Sequence, residues 1–333
     1  MDYGRIIRRA LEIVWRHKVL WVFGIAAALF SGGGGGGNGA NGIQYTLDEN
    51  SLRRFGQQMP FGPNVEAVVP VILAIIGLVL LLVLVFAIVG IIVRYTSVGA
   101  LIGGVDEVER TERTSFRSAL RIGWQRLLRL FAIDLIIGIA MFVVVLALVF
   151  LTIAGVLFAV LPAIALAEGG GSGANVLAVL WGVGVGLAVL VALVAVSVIV
   201  SAITTLIREV AFRANVLERQ GVFASIGTAF RLIRGNLKEV LLVWLILVAI
   251  NLALSIVAIP LVVIGIVGVI GPAVAAFALT ESVAVTLLVL VPIALFFVLV
   301  AAFIGGLVLT FQSAVWTLSY REWRTEHLVP EAV

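Results

Sequence analysis

Two polar side chains lie within long apolar stretches of the sequence, where they could form a site inside a membrane. Asp134 is ionisable, and Asn251 precedes Ser255 by one helical turn. An ionisable residue inside a membrane span indicates a functional site by default, because a charge in lipid is costly. We therefore consider a proton relay or a substrate site near Asp134 and Asn251. Two structural roles compete with it: an ion pair of Asp134 with Arg126 or Arg129, and interhelical hydrogen bonding by Asn251.

The side chains that most often carry catalysis are scarce in this chain. It has no cysteine and two histidines, His17 and His327, so disulfides, thiolate metal sites and a multi-histidine metal site are excluded. We find no His-Glu metal motif, no Gly-x-Ser-x-Gly elbow and no pair of intramembrane carboxylates. We therefore predict that the protein is not an enzyme and that it uses no cofactor and no metal ion.

A glycine-rich segment, SGGGGGGNGANG at residues 31–42, has the composition of a phosphate-binding loop. No Gly-Lys-Ser/Thr follows it and no strand precedes it, so that function is not supported. We predict instead a flexible, solvated outer loop over about residues 31–65.

The overall composition requires lipid as the solvent for much of the surface. Of the 333 residues, 62% are hydrophobic and 12% are charged, whereas soluble domains carry about 25% charged residues. The mean hydropathy is +1.24. Arginine far outnumbers lysine, which occurs only at Lys18 and Lys238. Together with the abundance of Gly, Ala and Val, this ratio indicates a GC-rich bacterial genome.

Five apolar stretches exceed the roughly 20 residues that a helix needs to cross a bilayer. They cover residues 68–93, 127–167, 175–207, 240–280 and 283–310. The second and fourth are about twice as long as one span requires. For each of these we expect one span and a shorter interfacial or re-entrant outer piece, with breaks near Pro162 and Pro260.

A sixth apolar stretch, residues 19–30, is short, but the positive charges indicate that it also spans. Lysines and arginines concentrate on the cytoplasmic side of a membrane, and 20 of the 22 lie in four clusters that six spans would place together. We predict six spans in a bacterial plasma (inner) membrane, with both termini cytoplasmic. The first span would extend into the preceding helix, with Arg16 and Lys18 reaching the interface.

A sequence pattern recurs at intervals of 109 and 110 residues. The three copies are ALEIVWRHKVLWVF from Ala10, ALRIGWQRLLRLFA from Ala119 and AFRLIRGNLKEVLL from Ala229. Each copy reads as an amphipathic helix that leads into a span. We therefore predict an all-α transmembrane bundle, a single membrane domain over residues 1–333, with pseudo-three-fold symmetry. Its repeat units would cover about 1–110, 111–220 and 221–333, each with an interfacial amphipathic helix and two spans.

The helical periodicity places apolar and basic side chains on opposite faces of these helices. In the second copy, Phe116, Leu120 and Trp124 share a face with the small Ala119 and Gly123, and Thr114 or Ser115 can cap the helix. The opposite faces supply the candidate contacts to lipid headgroups. These are Arg9, Arg16, Arg117, Arg121, Arg231 and Arg234. The competing interpretation is that these helices are elbows packed under the bundle.

The recurrent Ala-Leu-x-Ile helix, which reads Ala-Phe-x-Leu in its third copy, carries a family resemblance over most of the chain. It resembles uncharacterised bacterial polytopic membrane proteins that are similar to the membrane domain attached to some glycerophosphodiester phosphodiesterases. The soluble barrel of those enzymes, about 250 residues, is absent here. The resemblance therefore implies a membrane module that contacts lipids and has no hydrolase activity.

These observations lead to one expected function and one alternative. We expect a non-enzymatic scaffold or lipid-contacting subunit that binds membrane lipids, including anionic ones, and that pairs with an unidentified membrane protein or a second copy. Basic loops explain the isoelectric point of 9.9 without nucleic acid as a partner. The alternative is a transporter or channel with an intramembrane polar site near Asp134 and Asn251.

Overall fold

The computed structural model describes residues 2–30, 65–168 and 172–328, and every regular element in these ranges is an α-helix. The helices are α1 (Tyr3–Arg16), α2 (Val19–Phe30), α3 (Val65–Thr111), α4 (Phe116–Glu168), α5 (Ser172–Leu217), α6 (Val222–Gly235), α7 (Leu237–Thr280) and α8 (Val283–Leu328). In lipid a helix satisfies its own backbone hydrogen bonds, and the predicted all-α class is confirmed. The predicted outer loop lies outside the described residues, apart from Val65.

Within the described ranges, five helices are long and apolar enough to cross a membrane, as in a multi-pass membrane protein. They are α3, α4, α5, α7 and α8. A sixth span is reached only if α1 and α2, which meet at 97°, count as one broken span. The six-span layout therefore stays a prediction.

The expectation that the first span extends back into α1 stays a prediction, and such a span would be sharply bent. The 97° bend turns α1 away from the axis of α2, and the 12 residues of α2 rise only about 18 Å. The bend lies at His17 and Lys18, where the first helix ends. The Trp21 indole N–H fixes it by donating a 2.7 Å hydrogen bond to the carbonyl oxygen of Val14.

The two longest apolar stretches form unbroken helices. The prediction of breaks near Pro162 and Pro260 is therefore wrong. Helix α4 continues through position 162 to Glu168, and α7 contains both Pro260 and Pro272. A proline removes one backbone hydrogen bond. In lipid no water competes for the remaining ones, so the helix persists on both sides.

The helix ends follow local capping rules. The Asp2 carboxylate accepts from the Arg5 amide at 3.1 Å and begins α1. The Ser115 hydroxyl accepts from the Ser118 amide at 3.2 Å, which confirms one of the two predicted caps of α4. Helix α3 ends at Thr111, and the next residue, Glu112, has a left-handed φ of 55°. The Glu112 amide donates to the carbonyl oxygen of Val108.

The helices divide into two compact units, the first consisting of Met1–Leu127 and Leu245–Val333. In this unit α2 packs against α3 and α8, and α1 packs against α8. Gly24 of α2 and Gly306 of α8 bring these two helices into close contact. The core lies near the charged helix ends, where Ile13, Leu101 and Trp323 are fully buried.

The second compact unit is Leu128–Trp244, in which α5 packs against α6. Helices α4 and α5 meet along the apolar part of the unit, where Gly155 adjoins the Val189 side chain. Most apolar side chains of these two helices are exposed, which suits helices surrounded by lipid. The predicted three-fold arrangement of repeats stays a prediction.

Candidate functional site

The three copies of the repeated pattern share one arrangement of buried and exposed positions. The alanine that begins each copy is fully buried in all three: Ala10, Ala119 and Ala229. The next residue is exposed in all three: Leu11, Leu120 and Phe230. Each stretch therefore packs a small side chain on the protein and presents an apolar side chain outward.

The first turns of α4 carry a row of exposed apolar side chains. Phe116, Leu120, Trp124 and Leu128 are all exposed, and their spacing of four places them on one helix face. We call this row the α4 stripe. Trp124 is 63% exposed, and a tryptophan in that setting is typical of the membrane–water interface.

The other two amphipathic helices present similar aromatic side chains. Trp15 on α1 is 65% exposed, and Phe223 on α6 is 78% exposed. Large apolar groups at such exposure are costly in water. Together with the α4 stripe, they give these helices exposed apolar surface beside basic residues.

The apolar face predicted for the second copy divides into two in the structure. Ala119, Gly123 and Leu127 are buried, while the α4 stripe beside them is exposed. A Cβ atom on Gly123 would coincide with the carbonyl oxygen of Thr96 on α3. Small side chains therefore bring α4 onto α3 and leave the large ones facing outward.

Four of the predicted headgroup-contacting arginines lie beside these apolar side chains. Arg117 and Arg121 on α4, and Arg231 and Arg234 on α6, are exposed. None of the four has an ion pair or a side-chain hydrogen bond to another described residue. Their charges are therefore available to a ligand outside the protein.

The other two predicted arginines are engaged by carboxylates. Arg9 bonds to Glu12 at 3.0 Å and to Glu109 on α3 at 3.2 Å. These hydrogen bonds, first to Glu12 and then to Glu109, raise the pKa of the Arg9 guanidinium. Arg16 lies 3.7 Å from Glu12 but stays exposed. Arg9 thus helps to attach α1 to α3, which weakens its assignment as a headgroup contact.

An ion-pair cluster that the sequence did not reveal joins α1, α3 and α8. Asp106 on α3 accepts from Arg110 at 2.9 Å and from Arg321 on α8 at 3.0 Å. Arg5 on α1 pairs with Glu322 on α8 at 3.0 Å. The Asp106–Arg110 pair has the i,i+4 spacing of one helix face, but no sequence signal could have found the Asp106–Arg321 pair, whose members are 215 residues apart.

Asp134 pairs with Arg208, a residue that the sequence analysis did not consider. The carboxylate on α4 and the guanidinium on α5 lie 3.5 Å apart, and their side chains are 16% and 26% exposed. The predicted partners were Arg126 and Arg129, on the same helix as Asp134. Helices α4 and α5 run antiparallel, so Arg208 on α5 lies beside Asp134 on α4.

Asn251 forms an interhelical hydrogen bond, which is the structural role that the sequence also allowed for it. Its Oδ1 accepts from Nε2 of Gln312 on α8 at 2.7 Å. Asp134 and Asn251 belong to different compact units, and each has a partner in its own unit.

A small surface pocket lies at the bend between α1 and α2, lined in part by Glu12, Arg16, His17 and Glu112. The two ring nitrogens of His17 each lie 3.3 Å from a carbonyl oxygen, one of Ile13 and one of Glu112. Within residues 2–30, 65–168 and 172–328, no group of three or more His, Cys, Asp or Glu side chains could hold a metal ion.

A family model described as a family of unknown function (DUF7544) matches residues 17–318. The chain belongs to this family. The DUF7544 match includes α2 and nearly all of the five long helices, but not α1. Comparisons with curated proteins and with solved structures gave no match. The description of the DUF7544 family names no activity.

Proposed function

We propose that the protein is a non-enzymatic integral protein of the bacterial plasma membrane that contacts lipids of the inner leaflet as a scaffold or subunit. The observation that carries this proposal is the α4 stripe beside Arg117 and Arg121, which have no ion-pair partner among the described residues. An apolar row next to free cations suits the boundary between acyl chains and anionic headgroups. Each cation there contributes about 1 kcal/mol of attraction to an anionic surface.

The proposed topology has six spans in three repeats, with both termini in the cytoplasm. The four clusters of basic residues support it, as does the shared burial of Ala10, Ala119 and Ala229. This topology places α1, the start of α4 and α6 at the same leaflet. The resemblance to the membrane domain of glycerophosphodiester phosphodiesterases is part of the proposal and agrees with lipid contact.

Tryptophan fluorescence provides the test, because Trp15 and Trp124 are exposed in this surface. The protein is reconstituted in phosphatidylcholine vesicles that contain either brominated phosphatidylglycerol or brominated phosphatidylcholine as quencher. We expect stronger quenching by the anionic lipid at equal content, and weaker selectivity in high salt. A Trp124→Phe variant isolates the share of that ring.

A double variant tests the free cations against a matched control. In Arg121→Gln/Arg231→Gln, we expect the selectivity for phosphatidylglycerol to fall by up to about thirtyfold, because two charges worth about 1 kcal/mol each are removed. In Arg5→Gln/Arg110→Gln, the same number of exposed but ion-paired charges is removed, and the selectivity should persist. Equal quenching by both lipids in the unmodified protein would overturn the proposal.

The alternative is a transporter or channel, and the observation in its favour is the partly exposed Asp134–Arg208 pair. If this function is correct, proteoliposomes should conduct protons or ions, and Asp134→Asn should reduce the flux. Vesicles as tight as protein-free ones would exclude an ion or proton pathway.

A further inference from the structure

Two helix ends meet at one histidine in the bend between α1 and α2. His17 directly follows α1, and Glu112 directly follows α3. The Nδ1 atom of His17 lies 3.3 Å from the carbonyl oxygen of Ile13, and the Nε2 atom lies 3.3 Å from the carbonyl oxygen of Glu112. The half-buried ring therefore connects the bend to the end of α3.

The protonation state of the His17 ring decides how many of these two contacts are hydrogen bonds. Both atoms that face the ring are carbonyl oxygens, which only accept. A neutral imidazole has one N–H donor, whereas an imidazolium has two. The neutral ring can thus donate to one carbonyl and turns a lone pair toward the other, while the protonated ring can donate to both.

The backbone around the His17 ring favours a positive charge. Carbonyl groups at the C-terminal end of a helix carry partial negative charge, which stabilises a cation close to them. The Ile13 carbonyl belongs to the last turn of α1, and the Glu112 carbonyl follows the last turn of α3. The ring nitrogens contact the ends of both helices.

Charged side chains of both signs lie near the His17 ring. Arg9 and Arg16 of α1 line the same pocket as His17, and both pair with Glu12. Two exposed cations, Lys18 and Arg113, are next to His17 and Glu112 in the sequence. The carboxylates on this side of the molecule are Glu12, Glu109, which also binds Arg9, and Glu112.

The other two helices that pack near the bend bring their charges elsewhere. Helix α2 contains no charged residue. The charged residues of α8 begin at Arg321, and Glu322 pairs with Arg5 at the start of α1. Arg5 and His17 are 12 residues apart in the sequence, which is about 18 Å along a helix.

We propose that His17 is a pH-sensitive contact that holds the bend between α1 and α2 against the end of α3 when its ring is protonated. Imidazole is the side chain that titrates between about pH 5 and 8. The second hydrogen bond is present at the acidic side of this range and is lost as the pH rises through it. This regulation goes beyond the proposed function and does not depend on it.

Hydrogen exchange of the backbone amides tests whether the contact closes on protonation. The Leu20 and Trp21 amides donate to carbonyl oxygens within the bend, and the Glu112 amide donates to Val108. In the full-length protein in nonionic detergent, we expect their protection factors to be about fivefold higher at about pH 5.5 than at about pH 8, the effect of one additional hydrogen bond. Protection factors are already corrected for the intrinsic effect of pH on exchange.

Two substitutions of His17 separate its protonation from other effects of pH. His17→Gln is neutral at both pH values, so the protection of these amides should no longer depend on pH. His17→Arg is a permanent cation with several N–H donors, so protection should be high at both. The break between α6 and α7 at Asn236 is an internal control, and its amides should show no pH dependence in any variant.

Nuclear magnetic resonance of the unmodified protein keeps the test valid if a His17 variant fails to fold. The sequence has one other histidine, His327, so ¹⁵N-histidine labelling gives two sets of ring signals, and His327→Gln identifies those of His17. We expect one protonated ring nitrogen at about pH 8 and two at about pH 5.5. Equal protection at both pH values, a pH response that persists in His17→Gln, or a ring that stays neutral at about pH 5.5 overturns the proposal.

Discussion

Trp323 is a buried side chain that stabilises the fold through the volume of its ring rather than through its ring N–H. It is fully buried at the end of α8 that lies near the ion-pair cluster. Its ring nitrogen has no hydrogen-bond partner among the residues that the structure describes. Burying an N–H group without a partner is unfavourable, so the apolar contact of the ring must outweigh this cost.

Substitution of Trp323 separates these two contributions. We expect Trp323→Phe to lower the free energy of unfolding by much less than Trp323→Ala, because the phenyl ring fills most of the indole volume and the unpaired N–H is removed. Trp323→Ala should lower it by about 3–5 kcal/mol through the cavity it creates. Thermal unfolding in mild detergent, followed by circular dichroism, measures both. Equal losses would mean that the indole N–H is satisfied after all.

Charged side chains at the helix ends divide into two groups with different roles. Arg5, Arg9, Arg110 and Arg321 bind carboxylates, whereas Arg121 has no such partner among the described residues. The raised pKa of Arg9 keeps the guanidinium cationic to a higher pH than an ordinary arginine. Its contribution to stability is fully present below the ordinary arginine pKa and is lost only as the pH rises through the raised value. The attachment of α1 through Arg9 should therefore not respond to deprotonation of Arg9 near neutral pH.

At the scale of elements, the contact between α2 and α8 depends on two glycines. A Cβ on Gly24 would coincide with the Thr310 hydroxyl and with the carbonyl oxygen of Gly306. Neither neighbour can move without displacing α8, because the Thr310 side chain is buried and the other atom is backbone. Although α2 has only 12 residues, this close contact attaches it to α8.

Two separate glycine-to-alanine substitutions, one at the contact and one away from it, test this packing. We expect Gly24→Ala to reduce the free energy of unfolding by about 1–3 kcal/mol, the usual effect of overpacking. Gly77→Ala on α3 is the control, since no atom lies within 4 Å of its Cβ position. The control should be neutral or up to about 1 kcal/mol more stable, because alanine favours the helix. Similar unfolding temperatures for both variants would contradict the close packing of α2 on α8.

Features encoded along the chain could be predicted, whereas features that depend on which helices are neighbours could not. The helical class follows from apolar runs such as 240–280, and the cap at Ser115 follows from local sequence. The pairing of Asp134 with Arg208 and of Arg321 with Asp106 required the three-dimensional arrangement. The sequence predicted a break in α7 at Pro260, but α7 is continuous there. A proline breaks a helix in water more readily than in lipid.

At the scale of the whole molecule, the long helices exceed what an ordinary bilayer requires. No charged residue occurs from position 240 to 280, and this part of α7 is about 60 Å long. A bilayer core is about 30 Å thick. Every residue of α3 from 73 to 89 is exposed as well. Tilting of the helices or thickening of the bilayer must accommodate this length.

Bilayer thickness should therefore affect the stability of the protein. We expect the unfolding temperature to rise with acyl chain length in a series of phosphatidylcholine bilayers, because each ångström of mismatch costs a fraction of a kcal/mol. Reconstitution in each lipid followed by a thermal melt measures the trend. A maximum in the thinnest bilayer would show that the apolar ends of the helices are covered by something other than acyl chains.

The continuity of α4 has a mechanical consequence. The other two amphipathic helices are separated from the helices that follow them, α1 by the bend at residues 17–18 and α6 by Asn236. Helix α4 runs unbroken from Phe116 to Glu168. A sideways force on the exposed side chains at its start is therefore carried along one continuous helix, whereas α1 and α2 are joined at a 97° bend.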